Sequence, residues 1–128
     1  MIRIDQHSQK GRRNMTKIKS RKQKGKRLQN EVKAIILEQY PVLEPDDVRS
    51  TPLGVNGPDI QLSPAARKHF PYTVECKNTE RINIWAAIDQ NESNITNNTE
   101  SIIVFSKNHK PSYVCITLDH FIELIKKQ

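Results

Sequence analysis

Two carboxylates and an amine, Asp59, Glu75 and Lys77, lie in two short segments of alternating polarity. Carboxylates brought within a few ångströms of each other repel, and near neutral pH they need a cation or a shared proton. Mg²⁺ suits such a pair, because it takes oxygen ligands, keeps several waters and leaves room for a substrate phosphate. A lysine beside the pair can orient or deprotonate a water and can stabilise charge developing on phosphorus. Together these groups fit metal-assisted phosphodiester hydrolysis.

The segments that carry them read as strands. Ile60 and Leu62 alternate with Asp59 and Gln61, and Tyr72, Val74 and Cys76 alternate with Thr73, Glu75 and Lys77. Residues two apart share a strand face, so Glu75 and Lys77 point the same way while Val74 and Cys76 face the core. An antiparallel hairpin centred near Arg67 would pair positions summing to about 134 and set Asp59 opposite Glu75. A polar strand face with no metal is the plain alternative, since such faces are ordinary in antiparallel sheets.

Gly57-Pro58-Asp59 followed by Glu75-Cys76-Lys77 resembles the PD-(D/E)xK nuclease superfamily, whose signature is a Pro-Asp and an (Asp/Glu)-x-Lys on adjacent strands. The resemblance extends from Lys24 to Lys127. It implies a Mg²⁺-dependent DNA endonuclease, with Mn²⁺ able to substitute, that leaves 5′-phosphate ends. Asp59, Glu75 and the backbone carbonyl of Cys76 would hold the metal, and Lys77 would position or activate the attacking water. A first-helix glutamate often joins the metal shell in this superfamily, and Glu31 takes that role by position; an i,i+4 ion pair with Arg27 is its other reading. In the Holliday-junction resolvase-like branch a helix glutamine after the E-x-K strand approaches the site. Gln90 fits that placement, or else is a surface polar residue. The resolvase-like branch is the first expectation for substrate, with a sequence-specific or nicking endonuclease as the alternative. A non-catalytic nucleic-acid-binding protein on the same scaffold, and a ribonuclease, stay open.

The 128 residues fit one domain, and 35% hydrophobic with 5% aromatic content allows only a modest core. Charge is divided unevenly. Met1 to Asn30 carries eleven Lys and Arg against Asp5 alone, whereas Glu31 to Gln128 carries ten against thirteen acidic residues. A basic arm on a slightly acidic body suits an anionic polymer such as DNA. Arg12, Arg13, Lys17, Lys19, Arg21, Lys22, Lys24, Lys26 and Arg27 are the candidate phosphate contacts, joined by Arg67 and Lys68 at the tip of the expected hairpin. No run reaches the roughly 18 apolar residues of a membrane span. The start lacks the apolar stretch of a signal peptide, so an intracellular protein with reduced Cys76 and Cys115 is expected.

Along the chain, residues 1–20 have no apolar period and read as a disordered basic arm; residues 21–128 read as the nuclease domain. Leu28, Val32, Ile35 and Ile36 predict a helix over Arg21 to Gln39, stopped by Tyr40-Pro41. Short strands follow at Val48 to Leu53 and Asp59 to Leu62, with a turn at Gly54 to Gly57 between them. Ser63-Pro64 opens a short helix or wide loop closed by Pro71. After the Tyr72 to Lys77 strand, Ile84, Trp85, Ile88, Asn91 and Ile95 predict a helix with Trp85 in the core. Ile102-Ile103-Val104-Phe105 reads as a buried strand and Tyr113 to Thr117 as another. Leu118 to Lys127 reads as an amphipathic helix whose surplus apolar residues, Phe121, Ile122 and Ile125, point to a homodimer. The expected architecture is α/β, a restriction-endonuclease-like core of one mixed central sheet flanked by helices, in the order α-β-β-β-α-β-β-α. His69, His109 and His120 show no paired spacing for zinc.

Overall fold

A computed structural model describes residues 6–96 and 98–128, with side chains from Ser20 onward; Met1 to Asp5 and Asn97 lie outside it. The first helix, α1, spans Gln6–Gln39. It therefore begins well before Arg21, and the backbone of residues 6–20 is helical where the sequence suggests an unstructured arm. Lys, Arg, Gln and Met are good helix formers, and no proline interrupts the chain before Pro41. An apolar face exists only in the second half, where Leu28, Val32 and Ile36 recur one turn apart and are each at least nine-tenths buried. Ile35, one step off that line, is exposed.

After a single 3₁₀ turn at Pro45–Asp47, strands β1 (Val48–Ser50) and β2 (Ile60–Leu62) form an antiparallel pair with Val48 opposite Leu62. Gly54 and Gly57 in the connection have φ of +80° and +128°, values that L side chains rarely adopt. Helix α2 (Pro64–His69) is capped by Ser63, whose Oγ accepts from the Ala66 N–H at 3.1 Å. Strand β3 (Tyr72–Asn78) is followed by helix α3 (Ile84–Glu92), strands β4 (Glu100–Ser106) and β5 (Tyr113–Cys115), and helix α4 (Leu118–Lys126). β3 and β4 are parallel and β5 runs antiparallel beside β4. A parallel pair needs a crossover, and α3 supplies it.

The architecture is mixed α/β, with two small sheets flanked by helices in place of the single central sheet expected from the sequence. The β2–β3 hairpin is not formed. β2 has three residues and pairs with β1, and what remains between β2 and β3 is one backbone bond, Asp59 N–H to Val74 O at 3.0 Å. The short α2 inserts between them, which changes the element order to α-β-β-α-β-α-β-β-α.

Side-chain alternation on β3 divides the layers. Val74 and Cys76 join Leu28, Val32, Ile36, Val48, Ile60, Ile102 and Val104 in one core beneath α1. Each fully buried Leu or Ile there contributes about 1.5–3 kcal/mol. Thr73, Glu75 and Lys77 face α3. That helix buries Ala87 and Asn91 and half-buries Ile84 and Ile88, so its inward stripe is 84, 87, 88, 91. Trp85 lies one residue off this stripe and is 74% exposed, which corrects the expectation of a core tryptophan. Asn91 occupies the stripe instead, and its Nδ2 donates to Thr73 O and Ser101 Oγ, both at 2.8 Å.

Helix α4 is anchored by buried His120, whose Nε2 lies 2.7 Å from the Tyr72 hydroxyl. Its Leu118, Phe121, Ile122 and Ile125 stay 41–74% exposed. Among the described residues no helix is long and apolar enough to cross a membrane.

Candidate active site

Asp59 stands just before β2 and is held by its own backbone on both sides. Its carbonyl accepts from Thr51 N–H at 2.9 Å and its N–H donates to Val74 O at 3.0 Å. The Thr51 hydroxyl donates to the preceding Pro58 carbonyl. The Asp59 side chain then reaches over the free edge of β3, where Oδ2 accepts from Cys76 N–H at 2.7 Å. These bonds bring Asp59 to Glu75 without the hairpin that the sequence suggested.

Glu75 is 2% exposed in the middle of β3. Its Oε1 lies 3.4 Å from Lys77 Nζ, and its Oε2 is buried with no hydrogen-bond partner. Burial first, and then the Asp59 carboxylate close beside it, push the Glu75 carboxyl up from its usual 4.5 to about 7; the Lys77 ammonium opposes that shift. Lys77 Nζ in turn donates to Gln90 Oε1 at 3.2 Å, and Asn91 next in α3 is bolted to β3, so Gln90 is presented by a fixed turn of helix.

Successive residues on a strand send their backbone groups to opposite edges. Val74 O and Cys76 N–H both meet Asp59, so the Cys76 carbonyl points to that same free edge. The Cys76 side chain is buried in the core, and its thiol is pushed up by burial and then by the charges of Asp59, Glu75 and Glu31. Glu31 is thus near the site but exposed on α1, where its Oε1 accepts from Ser112 Oγ at 3.3 Å. No ion pair joins it to Arg27 among the described residues.

A divalent cation suits this set. The buried Glu75 Oε2 without a partner, the second Asp59 oxygen and the Cys76 carbonyl are hard oxygen donors at one strand edge. Leaving a buried carboxylate oxygen unpaired is costly, and a cation or proton removes that cost. Glu31 does not complete a tight triple with the pair. Among the described residues the one triple of His, Cys, Asp or Glu with ligand atoms all within 4.8 Å is Glu100, His120 and Glu123. Sequence reasoning missed that cluster, whose one local signal is the i,i+3 spacing of His120 and Glu123. Both His120 nitrogens are engaged, Nδ1 by Glu123 within α4 at 3.4 Å and Nε2 by Tyr72 at 2.7 Å, the contact that fastens α4 to β3.

The basic candidates are dispersed. Side chains of Arg12, Arg13, Lys17 and Lys19 lie outside the described ones. Arg21, Lys22, Lys26 and Arg27 are exposed on α1, while Lys24 is half-buried with Nζ 3.9 Å from Glu80. Arg67 donates from Nη1 to Leu62 O at 2.7 Å, which ties α2 to β2, and Lys68 is exposed. No family model, curated protein or solved structure matches the chain.

The Glu75 environment has a consequence for metal-free protein. The folded state holds the Glu75 proton more tightly than the unfolded chain does. Stability from this group is therefore fully present below the ordinary glutamate value and is lost as pH rises through about 7. The loss is on the order of 1–3 kcal/mol, several degrees in melting temperature for a chain of this size. In EDTA, the melting temperature of the parent protein should fall relative to Glu75→Gln between pH 5 and pH 8. Parallel pH curves for the two proteins would show that Glu75 is not strained by its site.

Proposed function

We propose that this chain is a small Mg²⁺-dependent DNA endonuclease on a PD-(D/E)xK-type, restriction-endonuclease-like core. The observation that carries the reading is the buried Glu75 carboxylate beside Asp59 and Lys77, with its Oε2 unpaired. A protein that only bound nucleic acid would gain nothing from a buried glutamate set against a second carboxylate, an arrangement that costs stability.

Asp59, Glu75 and the Cys76 carbonyl would hold the metal, which when bound neutralises the two carboxylates and polarises the scissile phosphate. Lys77 orients the attacking water and offsets the negative charge that builds on the phosphoryl oxygens. Gln90 steadies the Lys77 ammonium through their 3.2 Å bond. Water attacks phosphorus and gives up a proton to solvent, the bond from phosphorus to the 3′ oxygen breaks, and that oxygen takes a proton from solvent in its place. The products are a 3′-hydroxyl and a 5′-phosphate.

Branched DNA is the first substrate to try and an intracellular setting is the fitting one. A two-fold dimer through the exposed apolar face of α4 would place two sites for paired cuts. Purified protein should cleave at least one of linear, nicked, single-stranded or four-way-junction DNA when Mg²⁺ or Mn²⁺ is present and none in EDTA. Metal-independent cleavage, or none on any substrate, would overturn the reading.

A further inference from the structure

Two cavities meet at the carboxyl ends of the parallel strands β3 and β4, beside the candidate active site. One, of about 480 Å³, is lined by Arg21, Lys24, Asn78 and Arg81. The other, of about 390 Å³, is lined by Phe105, Lys107, Lys110 and Tyr113. Thr79 and Glu80 line both, so the two are neighbours around the strand ends. Five cations line the path against the single carboxylate of Glu80. That carboxylate holds the walls together, accepting from the Asn108 N–H at 3.3 Å and facing Lys24 Nζ at 3.9 Å. Asn78 Nδ2 donates to the Lys24 carbonyl at 3.0 Å and seats α1 against the strand end. Ser106 Oγ donates to Lys110 O at 3.0 Å and closes the turn that carries Lys107 and Lys110. The carboxyl ends of parallel strands are the usual place for a ligand in an open α/β sheet.

The strand register adds an aromatic step. Lys77 is opposite Phe105, and Phe105 is opposite Tyr113, so the three form one row across a single face of the sheet. With strands about 4.8 Å apart, Tyr113 lies about 10 Å from Lys77 across that row. Its ring is stacked on Phe105, centroids 5.9 Å apart at 25°, yet the side chain is 56% exposed. A basic path with an exposed, backed aromatic ring is what unpaired nucleotides use, because phosphates follow the charges and a base stacks on the ring. A duplex keeps its bases stacked inside and has no use for Tyr113.

We infer that this groove binds a single-stranded stretch of nucleic acid, with one unpaired base on Tyr113 and its phosphates along Lys107, Lys110 and the Arg21–Arg81 end. The inference deepens the nuclease reading and rests on it for placing the strand beside Lys77. It makes the substrate one with an unpaired segment next to the cleaved bond.

The test is fluorescence anisotropy with the full chain in EDTA, using a labelled oligothymidylate and a blunt duplex of equal length. Tyr113→Ala should weaken single-strand binding by about 5- to 150-fold and leave duplex binding nearly unchanged. Tyr113→Phe should bind both like the parent, which also controls for folding of the short β5. Replacing Lys107 and Lys110 by Ala should flatten the salt dependence of single-strand binding by about 1.4 log units per log unit of salt. Equal losses on both DNAs, or none on the single strand, would overturn the inference. Because no cleavage is scored, these outcomes are independent of the metal reading: single-strand binding through Tyr113 with no nuclease activity would sink the nuclease alone.

Discussion

Asp59→Asn is expected to remove nearly all Mg²⁺-dependent cleavage, by roughly 100-fold or more, while DNA binding in EDTA stays close to that of the parent. The substitution keeps the shape of the side chain and one carbonyl oxygen, so the 2.7 Å bond from Cys76 N–H can still form and the join between Asp59 and β3 survives. What is lost is the charge that faces Glu75. That charge helps to raise the Glu75 carboxyl, so without it Glu75 ionises more readily at neutral pH. A defect in the variant therefore cannot come from a protonated Glu75; it would report the loss of Asp59 as the proposed metal ligand. Single-turnover cleavage of end-labelled DNA across a Mg²⁺ titration is the measurement. Cleavage by Asp59→Asn at the parent rate would remove Asp59 from the site.

Much of this site was legible from residue types because its members lie on two strands and a helix with strong periodicity. Val74, Cys76, Ile102 and Val104 alternate or run apolar, and they are the core in which β3 is embedded. Burial of that strand forces Glu75 and Lys77 to the opposite face, where α3 can deliver Gln90. The pairing of β2 was misread for a physical reason. Three residues specify little register, and their choice between two neighbours is decided by distant contacts such as Ser63 Oγ to Asp47 Oδ1 at 2.7 Å. The left-handed Gly54 and Gly57 favour a turn that returns β2 to β1, while α2 uses up the segment that a hairpin would need.

The convergence of Asp59 and Glu75 survived this error because it does not need a ladder. One backbone bond and one side-chain bond to β3 suffice. Trp85 shows the complementary limit. Helical spacing names a stripe to within about one residue, or about 100° of arc, and Trp85 fell just outside the buried stripe. The bond that Glu31 Oε1 accepts from Ser112 joins positions too far apart in sequence for any local pattern to announce. The long α1 is a similar case, since its first turns carry good helix formers without an apolar face, and periodicity is silent where nothing is buried.

Lys77→Ala should lower the single-turnover rate by about 100- to 10,000-fold, with little change in affinity for DNA. Two effects combine in that loss, and they can be separated. The ammonium lies 3.4 Å from Glu75 Oε1 and holds the Glu75 carboxyl lower than burial alone would leave it. Without Lys77 that carboxyl moves further up, so at neutral pH more of the protein carries a proton where the proposed metal would bind. This part of the defect should shrink as pH rises from 7 to 9 and as Mg²⁺ is increased. The remaining part is the missing charge at the phosphoryl oxygens and the unoriented water, and neither alkaline pH nor metal restores it. Gln90→Ala should show a smaller loss of the same kind, because it frees the ammonium without removing it. Rates measured against pH at several Mg²⁺ concentrations distinguish the cases. Full recovery of Lys77→Ala at high pH and saturating Mg²⁺ would confine Lys77 to tuning Glu75. A fall in DNA affinity with unchanged turnover would make it a phosphate anchor. Only a pH-resistant residual defect supports Lys77 as the group that acts on the attacking water.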